Sequence, residues 1–433
     1  MLIISESVKI LCSGDLHLGR HPSRIPDTLD GSSFSPGRVW LHAVEEAIDR
    51  EVEAVVLTGD IIDRKNRLFE AFGDFEAGVK DLTGAGIPVY ATAGNHDFDV
   101  LPELLTSLSD YDISLLGENG EWETVQINRE GSPVVRFAGW SFPSQHVNYN
   151  PLTKLDLKFK DEVPVIGVLH GDVGKPDSRY GPITCSELER LGYDGWIIGH
   201  IHNSNLRSDS GPTVLSPGTP QPLDSTEPGL HGPWVMALDE RGITQLEQIP
   251  LANIRYEKVN VDAGEMNGLE DIPGRFYAKT DEIIERTTHP ALDLLIVTLE
   301  LTGRTDFYED LEGVKEQLAG DLRRESGSTG VTVASVINHT LPPIDLEEVA
   351  RGNSLPAVLA KLLLKLKKGE ENQIPEELIQ NTQDALTEAY YANAYKVLRT
   401  QGESSPPGKE TSLEVLERQG WKILDSFLSQ TKT

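Results

Sequence analysis

The chain has 433 residues, enough for two or three domains that each bury their own core. It holds 69 Asp and Glu against 39 Lys and Arg, a net charge of −30, which argues against a general nucleic-acid coat or a membrane-surface protein because both carry a basic face. Cys12 and Cys185 are too few for a disulfide framework or a four-thiolate zinc site, so a reducing compartment is expected. The acidity fits either a saline habitat or simple solubility.

The first ten residues do not resemble a signal peptide. They lack a basic segment, and Glu6 and Lys9 interrupt their apolar character. No apolar run approaches the roughly 18 residues that a bilayer-spanning helix needs. We therefore expect a cytoplasmic protein with no membrane association.

Residues 1–250 are predicted to form one α/β domain, because short apolar strands alternate with amphipathic helices from residue 8 onward. The first half has predicted strands at 8–12, 54–58 and 87–93, and predicted helices at 36–50, 68–82 and 102–109. The second half is richer in strands, which are predicted at 123–127, 133–138, 163–169, 195–198, 213–215, 234–238 and 243–248. Such sheets place ligand-binding groups at the carboxyl ends of their strands.

Two further regions follow this domain. Residues 251–343 are predicted to form a compact α+β cap domain, with strands at 292–301 and 331–337 and a helix at 306–324. Residues 344–433 are predicted to be helical, with helices at 354–368, 375–399 and 412–429 and a flexible linker at 401–411.

Polar side chains of the kinds that bind metal ions follow five of the predicted strands. They are Asp15, His17, Asp60, Asn95, His96, His170, His200 and His202. A buried amide or imidazole needs polar partners, which a metal ion would supply, although Gly94-Asn95 alone is also common turn chemistry. Carboxylate, amide and imidazole ligands suit divalent manganese, iron or zinc. The set is too large for one ion and fits a pair about 3.5–4 Å apart, as used in phosphoryl chemistry.

The order of these residues resembles that of the calcineurin-like metallophosphoesterases. The motifs are Asp15-x-His17, Gly59-Asp60-x-x-Asp63-Arg64, Gly94-Asn95-His96-Asp97, His170-Gly171-Asp172 and Gly199-His200-x-His202. The chain length and the Ser-Pro-Gly-Thr-Pro turn at 216–220 are most similar to the SbcD-type DNA repair exonucleases and their YhaO-like relatives. The resemblance covers residues 8 to about 250. It implies an α/β fold in which a layered αββα phosphoesterase domain carries a small α+β cap domain and a helical C-terminal tail.

The resemblance also implies two divalent ions, with Mn²⁺ expected, and a place for each ligand. The groups would be Asp15, His17 and His202 on one ion, Asn95, His170 and His200 on the other, and Asp60 bridging both. Such a pair lowers the pKa of a bound water and neutralises phosphate oxygens, so that phosphorus is attacked in line.

His96 is expected to serve catalysis without binding metal. It would donate to a phosphate or leaving-group oxygen, a contribution of about 10²–10⁴ in rate. Asp63 would orient and charge this imidazole. Asp97 and Asp172 are expected to brace the ligand loops.

An acidic protein that cleaves nucleic acid needs local positive charge. Arg20 follows the first ligand pair and Arg64 follows the bridging aspartate, so both are candidate phosphate contacts. The alternative is a solvated loop whose basic side chains pair with nearby acids. Arg64 is the stronger candidate, because its motif places it beside the site.

Two apolar surfaces suggest partners. The helices at 68–82 and 101–108 have more apolar surface than contact with one sheet would bury. The additional surface could belong to the core of their own domain, or it could form a homodimer interface as in the resembled family. Leucine-rich stripes on the tail helices, one at Leu355, Val358, Leu359, Leu362 and Leu366, fit either a self-contained hairpin or a docking element. The resemblance implies docking on the coiled coil of an SbcC-type ATPase.

The leading prediction is a manganese-dependent DNA exonuclease and endonuclease subunit of a DNA repair complex. The alternative is a phosphodiesterase or phosphatase acting on small nucleotides or phosphoproteins with the same metals. A non-catalytic scaffold would be expected to have lost ligands, and none is missing from the five motifs.

Overall fold

The computed structural model describes residues 7–63, 68–159, 161–208, 211–287, 292–391 and 407–430. They group into two compact units, one drawn from 1–302 and 309–339 and the other from 303–308 and 340–433. Within the described residues, no helix combines the length and apolarity required to cross a bilayer.

The strands and helices are numbered along the chain. The strands are β1 Val8–Ser13, β2 Ala54–Thr58, β3 Val89–Thr92, β4 Ile113–Leu115, β5 Trp122–Arg129, β6 Ser132–Trp140, β7 Val165–His170, β8 Gly195–Gly199, β9 Asn205–Arg207, β10 Thr213–Ser216, β11 Trp234–Asp239, β12 Gly242–Gln248, β13 Ile254–Asp262, β14 Leu294–Thr302, β15 Arg324–Ser326 and β16 Thr329–Asn338. The helices are α1 Pro36–Asp49, α2 Leu68–Gly84, α3 Leu101–Ser107, α4 Cys185–Leu191, α5 Ile272–Arg286, α6 Tyr308–Asp321, α7 Leu346–Ala350, α8 Leu355–Lys367, α9 Glu376–Tyr391 and α10 Lys409–Gln430.

The first sheet of the first unit has the order β12-β11-β1-β2-β3-β4. Strands β1 to β4 run parallel, and β2 is buried along its whole length because both faces of the sheet are covered. The register pairs Ser13 with Leu57 and Thr58 with Thr92. The carboxyl ends of β1, β2 and β3 therefore meet at one edge.

Helices α1, α2 and α3 cover one face of this sheet, as their apolar spacing predicted. Helix α1 begins at Pro36, and the Ser35 side chain accepts a hydrogen bond from the Arg38 amide. Trp40 and Phe75 pack together in the core beneath α1 and α2 with ring centroids 5.6 Å apart. Fully burying an aromatic or leucine side chain of this kind contributes about 1.5–3 kcal/mol.

The second sheet has the order β5-β6-β7-β8-β10-β9 and packs on the other face of the first. Ile10 and Val56 of the first sheet meet Ile166 and Ile197 of the second in a shared apolar core. Strands β7 and β8 are parallel, with His170 opposite Gly199. Two sheets covered by helices therefore form the layered α/β arrangement that was predicted, and each sheet ends in predicted ligands.

A third sheet of the first unit has the order β13-β14-β16-β15 and packs with α5. Strands β14 and β16 and helix α6 correspond to the elements predicted within 251–343, whereas β13 and α5 were not predicted individually. The Tyr256 hydroxyl on β13 donates to the Ser23 carbonyl at 2.5 Å. The third sheet is thereby joined to the loop that follows β1.

The second unit contains α7 to α10, and a small apolar core joins three of them. Its buried residues are Leu346, Ala360, Leu363 and Leu424. Arg304 forms an ion pair with Asp425 and lies over the Trp421 ring, 4.7 Å from its centroid. Helices anchored in this way form the predicted helical tail.

One detail of the predicted tail was wrong. Residues 409–411 were assigned to the linker but are the first residues of α10, while the linker residues 401–406 lie outside the described part of the chain. Of the predicted stripe on α8, Leu359 and Leu366 pack against the core of this unit, whereas Leu355 and Val358 are 68% and 60% exposed.

Candidate metal centre

The predicted ligands converge at the edge where parallel strands of both sheets end. The loop after β1 carries Asp15 and His17, that after β2 carries Asp60, and that after β3 carries Asn95. His170 is the last residue of β7, and His200 and His202 follow β8. Asp15, His17 and His170 are fully buried. The sheet topology therefore brings together residues that are up to 187 positions apart in the sequence (202 − 15).

A first cluster contains Asp15, His17 and His202. One candidate ligand atom from each lies within 4.8 Å of the others. The Nε2 atoms of His17 and His202 are 3.1 Å apart. Three donors this close together could bind one ion.

A second cluster contains Asp60, His170 and His200, whose ligand atoms also lie within 4.8 Å of one another. The Asn95 side-chain oxygen joins it, 3.0 Å from His170 Nε2 and 3.1 Å from His200 Nδ1. Asp60 Oδ2 lies 3.4 Å from His170 Nε2. These are the residues that were assigned to the second ion together with the proposed bridging carboxylate.

The spacing of these donors suits metal ions. Two ligands that are each about 2.1 Å from an ion and at right angles to each other are about 3.0 Å apart. The contacts between His17 and His202 and between Asn95 and His170 have this separation. A buried group of imidazole nitrogens and carboxylate oxygens also needs a cation to offset the cost of desolvation.

Polar groups behind three of the histidines fix which ring nitrogen faces each cluster. His170 Nδ1 lies 3.0 Å from the Thr58 carbonyl, so this nitrogen donates and Nε2 is left as an acceptor. Glu227 Oε1 is 2.6 Å from His202 Nδ1, and Asp172 Oδ2 is 3.5 Å from His200 Nε2. Histidine ligands in metal sites are oriented by contacts of this kind.

The backbone of the ligand loops is unusual. Asp15, His17, Asp60 and His200 have φ values of 49°, 45°, 50° and 93°, in a region that non-glycine residues seldom adopt. Backbone hydrogen bonds hold these loops together, from the Asp15 amide to the Gly59 carbonyl and from the His17 amide to the Asp60 carbonyl, each at 3.0 Å. The ligand positions thus depend on contacts between neighbouring loops.

Comparison with known proteins agrees with this geometry. A family model for the calcineurin-like phosphoesterases matches residues 8–204, which carry all the predicted ligands. The chain contains a calcineurin-like phosphoesterase domain.

Two curated relatives resemble part of this chain. The metallophosphoesterase YhaO of Bacillus subtilis is 26% identical over 59% of this chain, and the DNA double-strand break repair protein Mre11 of Aeropyrum pernix is 33% identical over 59%. Each match spans 64% of the relative, less than two thirds of its length.

Among solved structures, a dimetal phosphatase from Danio rerio is 16% identical. It covers 57% of this chain and 99% of its own, with a TM-score of 0.36.

The charges within the phosphoesterase domain favour a cation at the centre. Burial disfavours the charged ring of His170, but the carboxylates of Asp60 and Asp15 raise its pKa to about 9. A proton or a metal ion at Nε2 would balance these carboxylates. Burial lowers the pKa of His17 to about 3, which keeps that ring neutral, the form that binds metal.

His96 lies beside the clusters with its side chain 33% exposed. Its backbone amide donates to Asp60 Oδ1 at 2.8 Å, while its Nδ1 is 3.8 Å from Asp63 Oδ2. The contact with the Asp63 carboxylate raises the pKa of His96. His17, Asp63 and His96 also form a third group of three possible ligand atoms within 4.8 Å, which shares His17 with the first cluster.

Of the two arginines predicted to bind substrate, the structure describes only Arg20. Arg20 is 33% exposed, and its Nε lies 3.6 Å from Asp63 Oδ2, so it borders the site beside His96. Arg64 lies outside the described residues.

An open cleft of about 500 Å³ borders the second cluster. Its lining includes Lys175, Arg179, Tyr180 and His200. The Tyr180 ring is 4.7 Å from the His200 ring, and its plane is tilted by 37°. Neither Arg179 nor Tyr180 was singled out from the sequence, because neither lies in a ligand motif.

Two supporting carboxylates behave as expected and a third was missed. Asp97 accepts hydrogen bonds from the amides of Gly94 and Ile61, both at 2.7 Å, and Asp172 contacts His200. Glu227 was not predicted to contact a ligand. It lies 25 residues after His202 and outside every motif, and the only nearby signal was the turn at 216–220.

Proposed function

We propose that this chain is a manganese-dependent DNA exonuclease and endonuclease subunit that hydrolyses phosphodiester bonds in DNA repair. The observation that carries the proposal is the pair of adjacent ligand clusters, the second of which contains Asp60, at the strand ends of a phosphoesterase domain. The similarity to the Mre11 repair protein supports DNA as the substrate, and the intact motif order supports catalysis.

The chemistry is hydrolysis at phosphorus. When bound, two divalent ions would neutralise phosphate oxygens and lower the pKa of a water molecule. The water molecule releases one proton to solvent, and its oxygen forms a bond to phosphorus while the bond from phosphorus to the leaving oxygen breaks. His96 is exposed enough to reach that leaving oxygen and to give it a proton, and Asp63 favours the charged ring that this step requires.

Local positive charge would hold the DNA backbone against a chain with a net charge of −30. Arg20 borders His96, and Lys175 and Arg179 line the cleft beside His200. These side chains suit contacts with phosphates on either side of the scissile bond, which position a strand without reading its sequence. Arg64 remains a candidate phosphate contact from its motif.

The second unit is proposed to dock on the coiled coil of an SbcC-type ATPase. Leu355 and Val358 form an exposed apolar pair on α8, with the spacing of a helix-in-groove contact. Deleting residues 401–433 would be a poor test, because Leu424 belongs to the core of this unit. Leu355→Glu together with Val358→Glu leaves that core intact and should release the ATPase in co-purification, whereas Glu410→Lys, an exposed charge change on α10, should retain it.

A homodimer is proposed from the family resemblance. The apolar side chains on α2 and α3 include Phe75, Val79, Leu82, Leu101 and Leu104, and all of these are buried in their own domain. Their burial agrees with the alternative prediction, that these side chains belong to the core of their own domain. A homodimer would be detected by measuring the mass of the protein in solution, which should be twice that of one chain.

The decisive experiment compares substrates for one metal-loaded protein. With Mn²⁺ the protein should degrade duplex and hairpin DNA, and Asp60→Asn, which removes the shared carboxylate charge, should abolish cleavage. Hydrolysis of mononucleotide esters or phosphopeptides alone, with intact DNA left over, would contradict the repair assignment. It would favour the small-substrate phosphodiesterase or phosphatase instead.

A further inference from the structure

Glu227 is a buried carboxylate in the loop between β10 and β11, with only 4% of its surface exposed. Its Oε1 atom lies 2.6 Å from His202 Nδ1. A carboxylate oxygen can only accept a hydrogen bond, so Nδ1 must be the protonated nitrogen of that ring. His202 Nε2 is then left facing His17 in the first cluster.

The second oxygen of Glu227 is also held in place. Oε2 accepts from the Leu223 amide at 2.7 Å and from the Thr219 hydroxyl at 3.2 Å. Because both oxygens are engaged, the carboxylate cannot rotate without losing a hydrogen bond while buried, at a cost of about 1–3 kcal/mol. The direction of Oε1 toward His202 is therefore fixed by the loop itself.

The turn at 216–220 holds the same histidine from its backbone. The Thr219 amide donates to the His202 carbonyl at 2.9 Å. A Cβ atom at Gly218 would lie 2.6 Å from that carbonyl oxygen, so only glycine permits the approach. Thr219 thus contacts the backbone of His202 and, through Glu227, its ring.

An ordinary ion pair is the competing interpretation of Glu227. Within the described residues, no lysine or arginine forms an ion pair with this carboxylate, and its ring partner is His202. Its three hydrogen-bond donors are a backbone amide, a hydroxyl and an imidazole. A surface ion pair would be exposed and replaceable, whereas this carboxylate is enclosed and directed at a predicted ligand.

We propose that Glu227 is the positioning residue for His202, fixing the ring with Nε2 toward the metal ion of the first cluster and strengthening that nitrogen as a ligand. The inference rests on the proposed two-ion site. The turn at 216–220 then has a physical role, because Thr219 in this turn contacts both Glu227 and the backbone of His202. His200 has a looser counterpart in Asp172, at 3.5 Å, which is shared with Lys175 at 3.0 Å.

Metal binding tests the proposal directly. Full-length protein stripped of metal is titrated with Mn²⁺ by calorimetry. Glu227→Gln should weaken one of the two binding events by about 10–100-fold and leave the other nearly unchanged, since partners behind a ligand tune metal affinity by that factor. Glu227→Asp keeps the charge but shortens the side chain, and should fall between Glu227→Gln and the wild type.

The matched control is Glu240→Gln in the exposed turn between β11 and β12. It removes the same charge and should leave both binding events unchanged. Equal weakening of both events by Glu227→Gln, or weakening of neither, would overturn the proposal. A lower thermal stability of the metal-free variant with unchanged affinities would mean that Glu227 serves folding alone.

A spectroscopic test measures the protonation of the His202 ring in the wild-type protein. In the wild-type protein loaded with diamagnetic Zn²⁺, long-range ¹H–¹⁵N spectra of the histidine rings should show His202 protonated on Nδ1. The assignment comes from the signals lost in His202→Gln. Protonation on Nε2 would overturn the proposal. Neither measurement contains DNA, so a failure of the nuclease assignment would leave this result standing.

Discussion

The Asp97 carboxylate accepts a hydrogen bond from the Ile61 amide at 2.7 Å, and so links the loop after β3 to the loop after β2. The same carboxylate accepts from the Gly94 amide, also at 2.7 Å. These loops carry Asn95 and Asp60. One buried side chain therefore sets the distance between Asn95, a proposed ligand of the second ion, and Asp60, the proposed bridging carboxylate.

Asp97→Asn should destabilise the protein and weaken metal binding. An asparagine offers one oxygen where two amides now find acceptors, and its NH₂ group would face a backbone N–H. Leaving one buried amide unpaired costs about 1–3 kcal/mol. Urea unfolding of the metal-free protein measures this loss. Asp110→Asn, in an exposed loop, is the control, and equal stability of the two variants would contradict the role of Asp97.

Gly94→Ala should disrupt the site, whereas Gly73→Ala should be tolerated. A Cβ atom at Gly94 would lie 2.2 Å from Asp60 Oδ1 and 2.7 Å from the Asp60 backbone nitrogen, so the Asp60 carboxylate must move. Gly73 is exposed within α2 with no atom within 4 Å of such a Cβ, and alanine there should stabilise the helix by up to about 1 kcal/mol. Thermal melting and Mn²⁺ titration distinguish the two outcomes. Full metal affinity in Gly94→Ala would refute the close approach of the loops.

His96→Ala should lower the rate of phosphodiester hydrolysis by about 10²–10⁴ and leave both metal ions bound. The reason is that His96 lies beside the clusters, with an exposed ring and the Asp63 carboxylate 3.8 Å behind it. Activity on an activated phosphodiester and metal content are measured on the same sample.

His42→Ala on α1 serves as the control, since His42 lies outside the ligand motifs. Loss of one metal ion from His96→Ala would instead make His96 a ligand, in the group it forms with His17 and Asp63.

The protein should lose stability above pH 10, in part through Tyr193. Burial raises the pKa of Tyr193 to about 12, and the ring stacks on Trp196 with centroids 5.1 Å apart. A folded pKa above the ordinary value of about 10 means that the stabilisation is complete below pH 10 and is lost as the pH rises through 12. Tyr193→Phe cannot ionise, so its stability should fall less between pH 9 and pH 11 in urea unfolding. Equal losses in both proteins would show that Tyr193 ionises freely when folded.

The convergence of the predicted ligands could be foreseen because it follows from one rule. Parallel strands present their carboxyl ends at one edge, so Asp15, Asp60, Asn95 and His170 could be placed together from the strand pattern alone. Glu227 could not, because its position depends on how a long loop folds back onto His202, and loops carry no periodicity. The spacing of apolar side chains predicted the helices of the tail. It did not predict which apolar face of α8 is buried.

The left-handed backbone conformation of the ligand loops lowers the stability of the fold at the residues that are proposed to bind metal. Four of the eight non-glycine residues with positive φ in the described chain are predicted ligands: Asp15, His17, Asp60 and His200. Each such conformation costs roughly 1–2 kcal/mol for a residue with a Cβ atom, and glycine would avoid that cost but could not bind metal. Selection for a more stable chain and selection for a working enzyme therefore act in opposite directions at these positions. A metal ion that binds the folded chain and not the unfolded chain raises the free energy of unfolding and so offsets this cost. The supply of metal would then determine how much of the protein stays folded.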